Sequence, residues 1–293
     1  MTLRSKNIGF YIAIGLLSLV IMMITALNIG VYEFGKSSAY EVFWKHISGN
    51  PSLSLSEKYV IWEVRASRIV MAVLIGSMLA VSGTTLQGMF KNPLATGDLI
   101  GLTSGATLLA AIAIVLGHTF QDYLPEWIRF SLVSVSAFLG ALLSMILVYR
   151  ISTSGGKTNV VMMLLSGVAI TAIGFAITGM LIYISKDDQL RDLTFWNLGS
   201  LASATWTKNA ILFGVLLISY YVLLPKGKAL NAMMLGEKDA QHLGINVEVL
   251  KKQIVILTAL MVGTCVAFSG TIGFVGLIAV SYTHLRAHET LRY

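Results

Sequence analysis

The residues best equipped for chemistry are few, and each can be weighed by type and spacing. Gly155-Gly156-Lys157-Thr158 ends like a phosphate-binding loop, in which glycine amides cradle a phosphate and the lysine reaches it. That loop needs another glycine five positions before Gly156, where Ile151 stands, and no strand pattern leads into it. The stretch therefore reads as a polar turn, and the chain is not expected to bind ATP itself. Asp187, Asp188 and Asp192 could hold magnesium only if a second acidic motif faced them across a cavity. They form one cluster, balanced by Lys186 and Arg191, and read as a solvated loop. His46, His118, His242, His284 and His288 show no metal-ligand spacing. No nucleophile stands beside a base. Neither a metal nor a cofactor is expected.

The elements that must position these groups are set by the solvent. Of the 293 residues 56% are hydrophobic and only 12% are charged, and the mean hydropathy is +0.78. A soluble domain carries about 25% charged residues, so lipid is the expected solvent. Backbone polar groups in lipid must be satisfied within the segment or a closed barrel. The apolar runs are 16 to 25 residues long and lack period-two alternation, so they read as helices. The single cysteine, Cys265, excludes an internal disulfide framework and reads as a small packing residue.

Seven spans are expected: Ile8–Ile29, Arg68–Phe90, Leu99–Leu116, Ile128–Tyr149, Val160–Ile184, Asn209–Leu224 and Ile254–Gly270. The first is too long for the apolar region of a signal peptide and is kept as a helix. The net charge of +7 is unevenly placed. Connections 91–98, 150–159 and 225–253, taken with the N-terminus, carry a net +6. The alternate connections carry nine basic and nine acidic residues. Basic residues favour the cytoplasmic side, which puts the N-terminus inside and makes the excess charge a topology signal rather than a nucleic-acid footprint. Apart from Arg68 and Arg129 at span boundaries, the span interiors hold no ionisable residue of the Asp, Glu, Lys, Arg or His type. Ion-coupled carriers usually need one at depth, so the driving force is expected to come from another protein.

Two stretches stand out within this frame. In Ala80–Gly105, Asn92-Pro93 breaks a helix because proline lacks an amide N–H and clashes with the preceding turn. Gly97, Gly101 and Gly105 recur every four residues, which predicts one small-residue face on the next helix, with Gly83 a further close-packing position. The second stretch is Leu230–Gly244, on the expected inside. Leu230, Met233, Met234, Ala240 and Leu243 make apolar faces at helical spacing; Gly236 divides the run into two short helices and Gly244 caps the second. Such helices either lie on headgroups or dock into a groove on a partner. Ala80-Val81-Ser82-Gly83-Thr84 is echoed by Ala267-Phe268-Ser269-Gly270-Thr271, as an inverted repeat would give.

The motif S-G-x-x-x-Q-x-x-x-x-N-P-L-A from Ser82, followed by L-x-G-x-x-x-G, resembles the FecCD family. These are membrane subunits of ABC importers for ferric siderophores, haem and vitamin B12. The resemblance implies an all-α polytopic fold of ten helices, of which this chain would supply seven. It implies coupling to a cytoplasmic ATP-binding subunit through Leu230, Asn231, Leu235, Gly236, Glu237, Ala240, Leu243 and Gly244. Arg65 and Arg68 match the family's R-x-P-R, with Ser67 in place of proline, and would pair with acids on an extracytoplasmic substrate-binding protein. Asn92, Pro93 and Leu94 match an inner gate, and Met162, Met163 and Ser166 would border the pathway. Phe195–Leu201 is similar to a segment near the pathway mouth. A second permease copy, identical or a close paralogue, would complete the path across a bacterial cell membrane. Gly270, Gly273 and Gly276 match family packing glycines up to about Ile278. Residues 1–280 read as the permease domain. The polar stretch 281–293 departs from the family and resembles translated sequencing-adapter readthrough. A carrier or channel acting alone, and a membrane enzyme built on Asp187 and Asp188, are the other function classes.

Overall fold

The computed structural model describes residues 3–34, 37–49, 53–117, 125 and 131–272. Gly273, Gly276 and the stretch 281–293 lie outside the described residues. The chain divides into two compact units: residues 1–73 with 202–209, and residues 74–201 with 210–293.

In the first unit, α1 (Leu3–Asn28) is followed by α2 (Ala39–Ile47) and the single turn α3 (Leu55–Lys58). Ser38 caps α2 by accepting from Glu41 N, and Ser54 with Glu57 forms a reciprocal capping box on α3. The chain then widens into a π-helix, Tyr59–Ala66, which runs directly into α4 (Ser67–Phe90). Helical structure therefore begins at Leu55, a dozen residues before the expected span. A small core gathers Leu27, Phe34, Ala39, Val42, Leu53 and Ile61, with Trp62 stacked on Trp206 at 4.7 Å between ring centroids.

The second unit contains α5 (Leu102–Leu116), α6 (Leu132–Ser152), α7 (Val160–Ile184), α8 (Asp187–Leu198), α10 (Gly227–Leu235), α11 (Glu237–His242) and α12 (Val247–Ser269), with α9 (Trp206–Leu223) crossing the division. Among the described residues six helical stretches are long and apolar enough to span a bilayer, so the fold is that of an all-α polytopic membrane protein. The expected span at Leu99–Leu116 is a 15-residue helix, too short to cross about 30 Å at 1.5 Å per residue. It need not cross, because its neighbours cover most of it, leaving only Leu116 exposed.

The glycine stripe takes a different form from the one the spacing predicts. Gly97 opens a 3₁₀ turn and Gly101 is left-handed, at φ +78°, so only Gly105 lies within α5. Thr96–Leu102 is thus a bend rather than a helix, and the left-handed step at Gly101 is what lets α5 start in a new direction. The close approaches remain. Gly105 and Gly140 abut so tightly that a Cβ on either would overlap the other's backbone carbonyl, and a Cβ on Gly167 would overlap Leu99 O and Ile100 Cα. Ser144 Oγ donates to Gly101 O at 2.6 Å across the same junction. Small residues allow backbones this near, and dispersion and hydrogen bonds supply the association that lipid does not. Gly140 and Gly167 recur at no fixed spacing with the Gly97–Gly105 series, so periodicity could not find them.

Two polar sequences also take regular form. Thr153–Ser154 and Lys157–Thr158 pair as an antiparallel hairpin whose two turn residues, Gly155 and Gly156, both have positive φ. The apparent phosphate loop is this hairpin. Asp187 and Asp188, expected in a loop, occupy the first turn of α8, where carboxylates favour the positive end of the helix dipole.

Gly140→Ala should lower the thermal unfolding midpoint in detergent, with an overpacking cost of about 1–3 kcal/mol. Gly179→Ala, where an added Cβ meets nothing within 4 Å, should not. Equal midpoints for the two variants would remove the close-packing argument.

Candidate coupling site

The site is assembled from the residues that join α10 and α11 to the rest of their unit. After Leu235 the backbone opens at Gly236 (φ 173°, ψ 146°), an extended conformation that separates the two short helices as expected. Such a conformation is open to any residue, so the break does not depend on glycine there. The end of α11 does. Gly244 is left-handed at φ +81°; its N–H bonds Gln241 O at 2.9 Å and Ile245 N–H bonds Ala240 O at 3.1 Å, a Schellman closure that turns the chain into α12. Asn246 then caps α12 by accepting from Val249 N.

Met233 and Ala240 are fully buried, and Leu230 reaches toward Gly88. Met234, Leu235 and Leu243 are exposed, Leu235 by 78%. Asn231 is also exposed. The predicted apolar faces thus divide: one set anchors the element and the other is presented outward.

The anchor is completed by charge. Lys251, on the first turns of α12, is 1% exposed. Its Nζ donates to Thr158 O at 2.7 Å, to Glu237 Oε2 at 2.8 Å and to Glu248 Oε1 at 3.2 Å, which uses all three ammonium protons. Glu248 Oε2 accepts from Thr158 N at 2.8 Å. One buried cation therefore ties together the start of α11, the start of α12 and the end of the β-hairpin. Sequence reasoning counted Lys251 only among the basic residues of its side. The available signal was a lysine three residues after Glu248, in a helix otherwise turning apolar, but its partner Glu237 is set only by the fold.

The remaining expected sites separate by burial. Arg65 is buried: Nη1 donates to Leu27 O at 2.9 Å and Asn28 O at 3.3 Å, Nη2 donates to Tyr32 O at 2.6 Å, and the guanidinium lies 4.7 Å from the Phe34 ring centroid. It closes the carboxyl end of α1. Arg68 is exposed. In an α-helix these two arginines, three apart, would share a face; the wider π-turn through Ala66 changes their relative rotation. Asn92 Oδ1 accepts from Leu94 N at 2.9 Å, so Asn92-Pro93-Leu94 is a side-chain-locked turn with Leu94 exposed. Along α7 the inward stripe is Met163, Ser166, Gly167, Gly174, Thr178 and Leu181. Met163 and Ser166 are buried on that stripe, while Met162 is exposed. The residue types did not distinguish them; the helix phase did.

Gly270 and Gly199 meet backbone to backbone: a Cβ on Gly270 would overlap Trp196 O, and Ser200 N donates to Ser269 O at 2.7 Å. The segment Phe195–Leu201 is thereby locked to the second copy of the Ser-Gly-Thr echo. Ser82, Gly83, Ser269 and Gly270, the hearts of both copies, line one small cavity of about 30 Å³. Among the described residues no group of three histidine, cysteine, aspartate or glutamate side chains is placed to hold a metal ion.

The fold is a polytopic helical membrane bundle with a short two-helix element pinned at one end. The profile of the FecCD transport family matches residues 16–293, and the chain belongs to that family, as a permease subunit of an ABC importer. The chain is 34% identical over 271 residues to the hemin transport system permease protein HmuU of Yersinia pestis, covering 92% of this chain and 77% of that protein. It is 32% identical to the molybdate import system permease protein MolB of Haemophilus influenzae, over 89% of this chain and 75% of that one. The cobalamin import system permease protein BtuC of Halobacterium salinarum is 34% identical over 75% of this chain, which spans only 57% of that protein's length. A solved metal-chelate type ABC transporter in an inward-facing conformation superposes with a TM-score of 0.74 at 31% identity, over 92% of this chain and 79% of that one.

Removing both counter-charges with Glu237→Gln and Glu248→Gln strands a buried ammonium and should cost about 3–5 kcal/mol. Lys251→Met leaves two carboxylates that water can still reach and one unpaired carbonyl, and should cost about 1–3 kcal/mol. Thermal unfolding in detergent orders the two variants, and the reverse order would contradict the account of the cluster.

Proposed function

We propose that this permease moves an iron complex inward, a ferric siderophore first, with haem or cobalamin as the neighbouring cargo classes. The named cargo of relatives supports a chelate-sized substrate, hemin being that of the relative aligned over 92% of this chain. The observation that carries the mechanism is the two-helix element itself. Its outer surface, Met234, Leu235 and Leu243, is apolar and open, while its root is fixed by Lys251. A surface that receives force from an ATP-binding subunit needs both properties: apolar contacts that the partner can grip, and a stiff connection inward. Here the connection runs from Glu237 through Lys251 to α12 and the hairpin before α7, so a push on α11 reaches two long helices.

In this reading the N-terminus and residues 225–253 face the cytoplasm, in keeping with the +6 excess of their side. A second copy of the chain or a close paralogue faces α7, whose exposed stripe includes Met162, Leu165, Val168 and Ala169. The turn Asn92-Pro93-Leu94 serves as the inner gate. On the opposite side Arg68 meets acidic residues of an extracytoplasmic binding protein, while Arg65 fixes the helix end behind it. An uncharged, apolar wall binds cargo weakly, which leaves selection to the binding protein.

Leu235→Asp combined with Leu243→Asp should reduce co-purification of the ATP-binding subunit at least tenfold, and abolish ATP-dependent uptake of a labelled ferric siderophore into proteoliposomes. Both positions are exposed, so folding should be kept. Undiminished association, or uptake by the permease with no ATPase present, would end this reading. A cysteine at position 235 that reacts with an impermeant thiol reagent from outside intact cells would reverse the topology.

A further inference from the structure

A groove of about 360 Å³ runs between α6 and α12, and its lining changes character along its length. The wall is apolar, including Leu142, Ile146 and Ile256, and at one end it is bordered by Tyr149, Arg150 and Lys252. The two helices are antiparallel here, since α6 ends at Ser152 where α12 begins at Val247, so both cations stand at the same end. From Leu142 to Arg150 the wall is about 12 Å long at 1.5 Å per residue. Arg150 and Lys252 are both exposed, and among the described residues neither is ion-paired. The acid one turn away, Glu248, has its carboxylate occupied by Lys251 and Thr158.

Two exposed cations above an apolar slot match an amphiphile with an anionic head and a hydrocarbon tail. A water-soluble anion would gain nothing from the slot, and a zwitterionic lipid gains less from the paired cations. Tyr149 borders the same end, and tyrosine is a residue type enriched at membrane interfaces. We propose that this groove holds one anionic phospholipid of the bilayer, its phosphate between Arg150 and Lys252 and an acyl chain along the wall. The site abuts the anchor of the coupling element, because Lys252 follows Lys251 and α6 leads into the hairpin that Lys251 holds.

The test compares palmitoyl-oleoyl phosphatidylglycerol with the phosphatidylcholine of the same chains, titrated onto the purified protein in detergent and read by native mass spectrometry. One phosphatidylglycerol per chain should be retained in preference to phosphatidylcholine. Arg150→Gln and Lys252→Gln should each weaken retention about fivefold, and together roughly twenty-fivefold. Ala259→Phe, which fills the groove without touching either cation, should also weaken it. Equal retention of the two lipids, or unchanged retention in the double variant, would overturn the proposal. Benzoylphenylalanine at position 256 gives an independent reading in native membranes of the unmodified cation pair. A photo-adduct with phospholipid supports the site; a cross-link to polypeptide, from this chain or another, shows that protein covers the groove and overturns it.

Discussion

An ammonium group taken out of water must find three acceptors in protein or lose its charge, and Lys251 finds all three on separate segments. That requirement organises one end of the second unit. The lysine cannot be satisfied unless the hairpin, the start of α11 and the start of α12 are simultaneously in place. A cluster of this kind contributes less to net stability than its geometry suggests, because desolvation offsets much of the attraction. Its contribution is register: it permits one arrangement of the coupling element and penalises others.

The membrane part of the unit obeys a different constraint. Lipid offers no hydrophobic drive for helix association, so α5, α6 and α7 are brought together by glycine contacts at Gly105, Gly140 and Gly167, and by Ser144 donating to Gly101 O. Close packing leaves bulky apolar side chains on the outer faces, where lipid or another subunit receives them. The two-helix element follows the same pattern: Met233 and Ala240 point inward, while Met234, Leu235 and Leu243 point out. In the proposed reading, these exposed side chains are the surface that an ATP-binding subunit covers.

Much of this architecture was legible from residue order. Run length and low charge gave the helical membrane class, Asn92-Pro93 gave the turn, and Gly236 and Gly244 gave the two short helices with their cap. These features depend on local chemistry: a missing amide N–H, a left-handed closure, an apolar run long enough for a bilayer. Burial was not legible in residue type alone. Arg65 turned inward because the helix before α4 widens to a π-turn, and Met163 and Ser166 turned inward because they fall on the packed stripe of α7.

What the sequence determined by itself was therefore the solvent, the class of element and the places where elements stop, since each is fixed by interactions within a few residues. Only the tertiary structure decided which cation is buried, which glycines touch and which face of each helix is open. Glu237 and Lys251 are fourteen residues apart, and Thr158 lies ninety-three residues before Lys251. No local rule relates residues at such separations; they meet because the packing of α11, α12 and the hairpin buries Lys251, and a buried charge must be answered there.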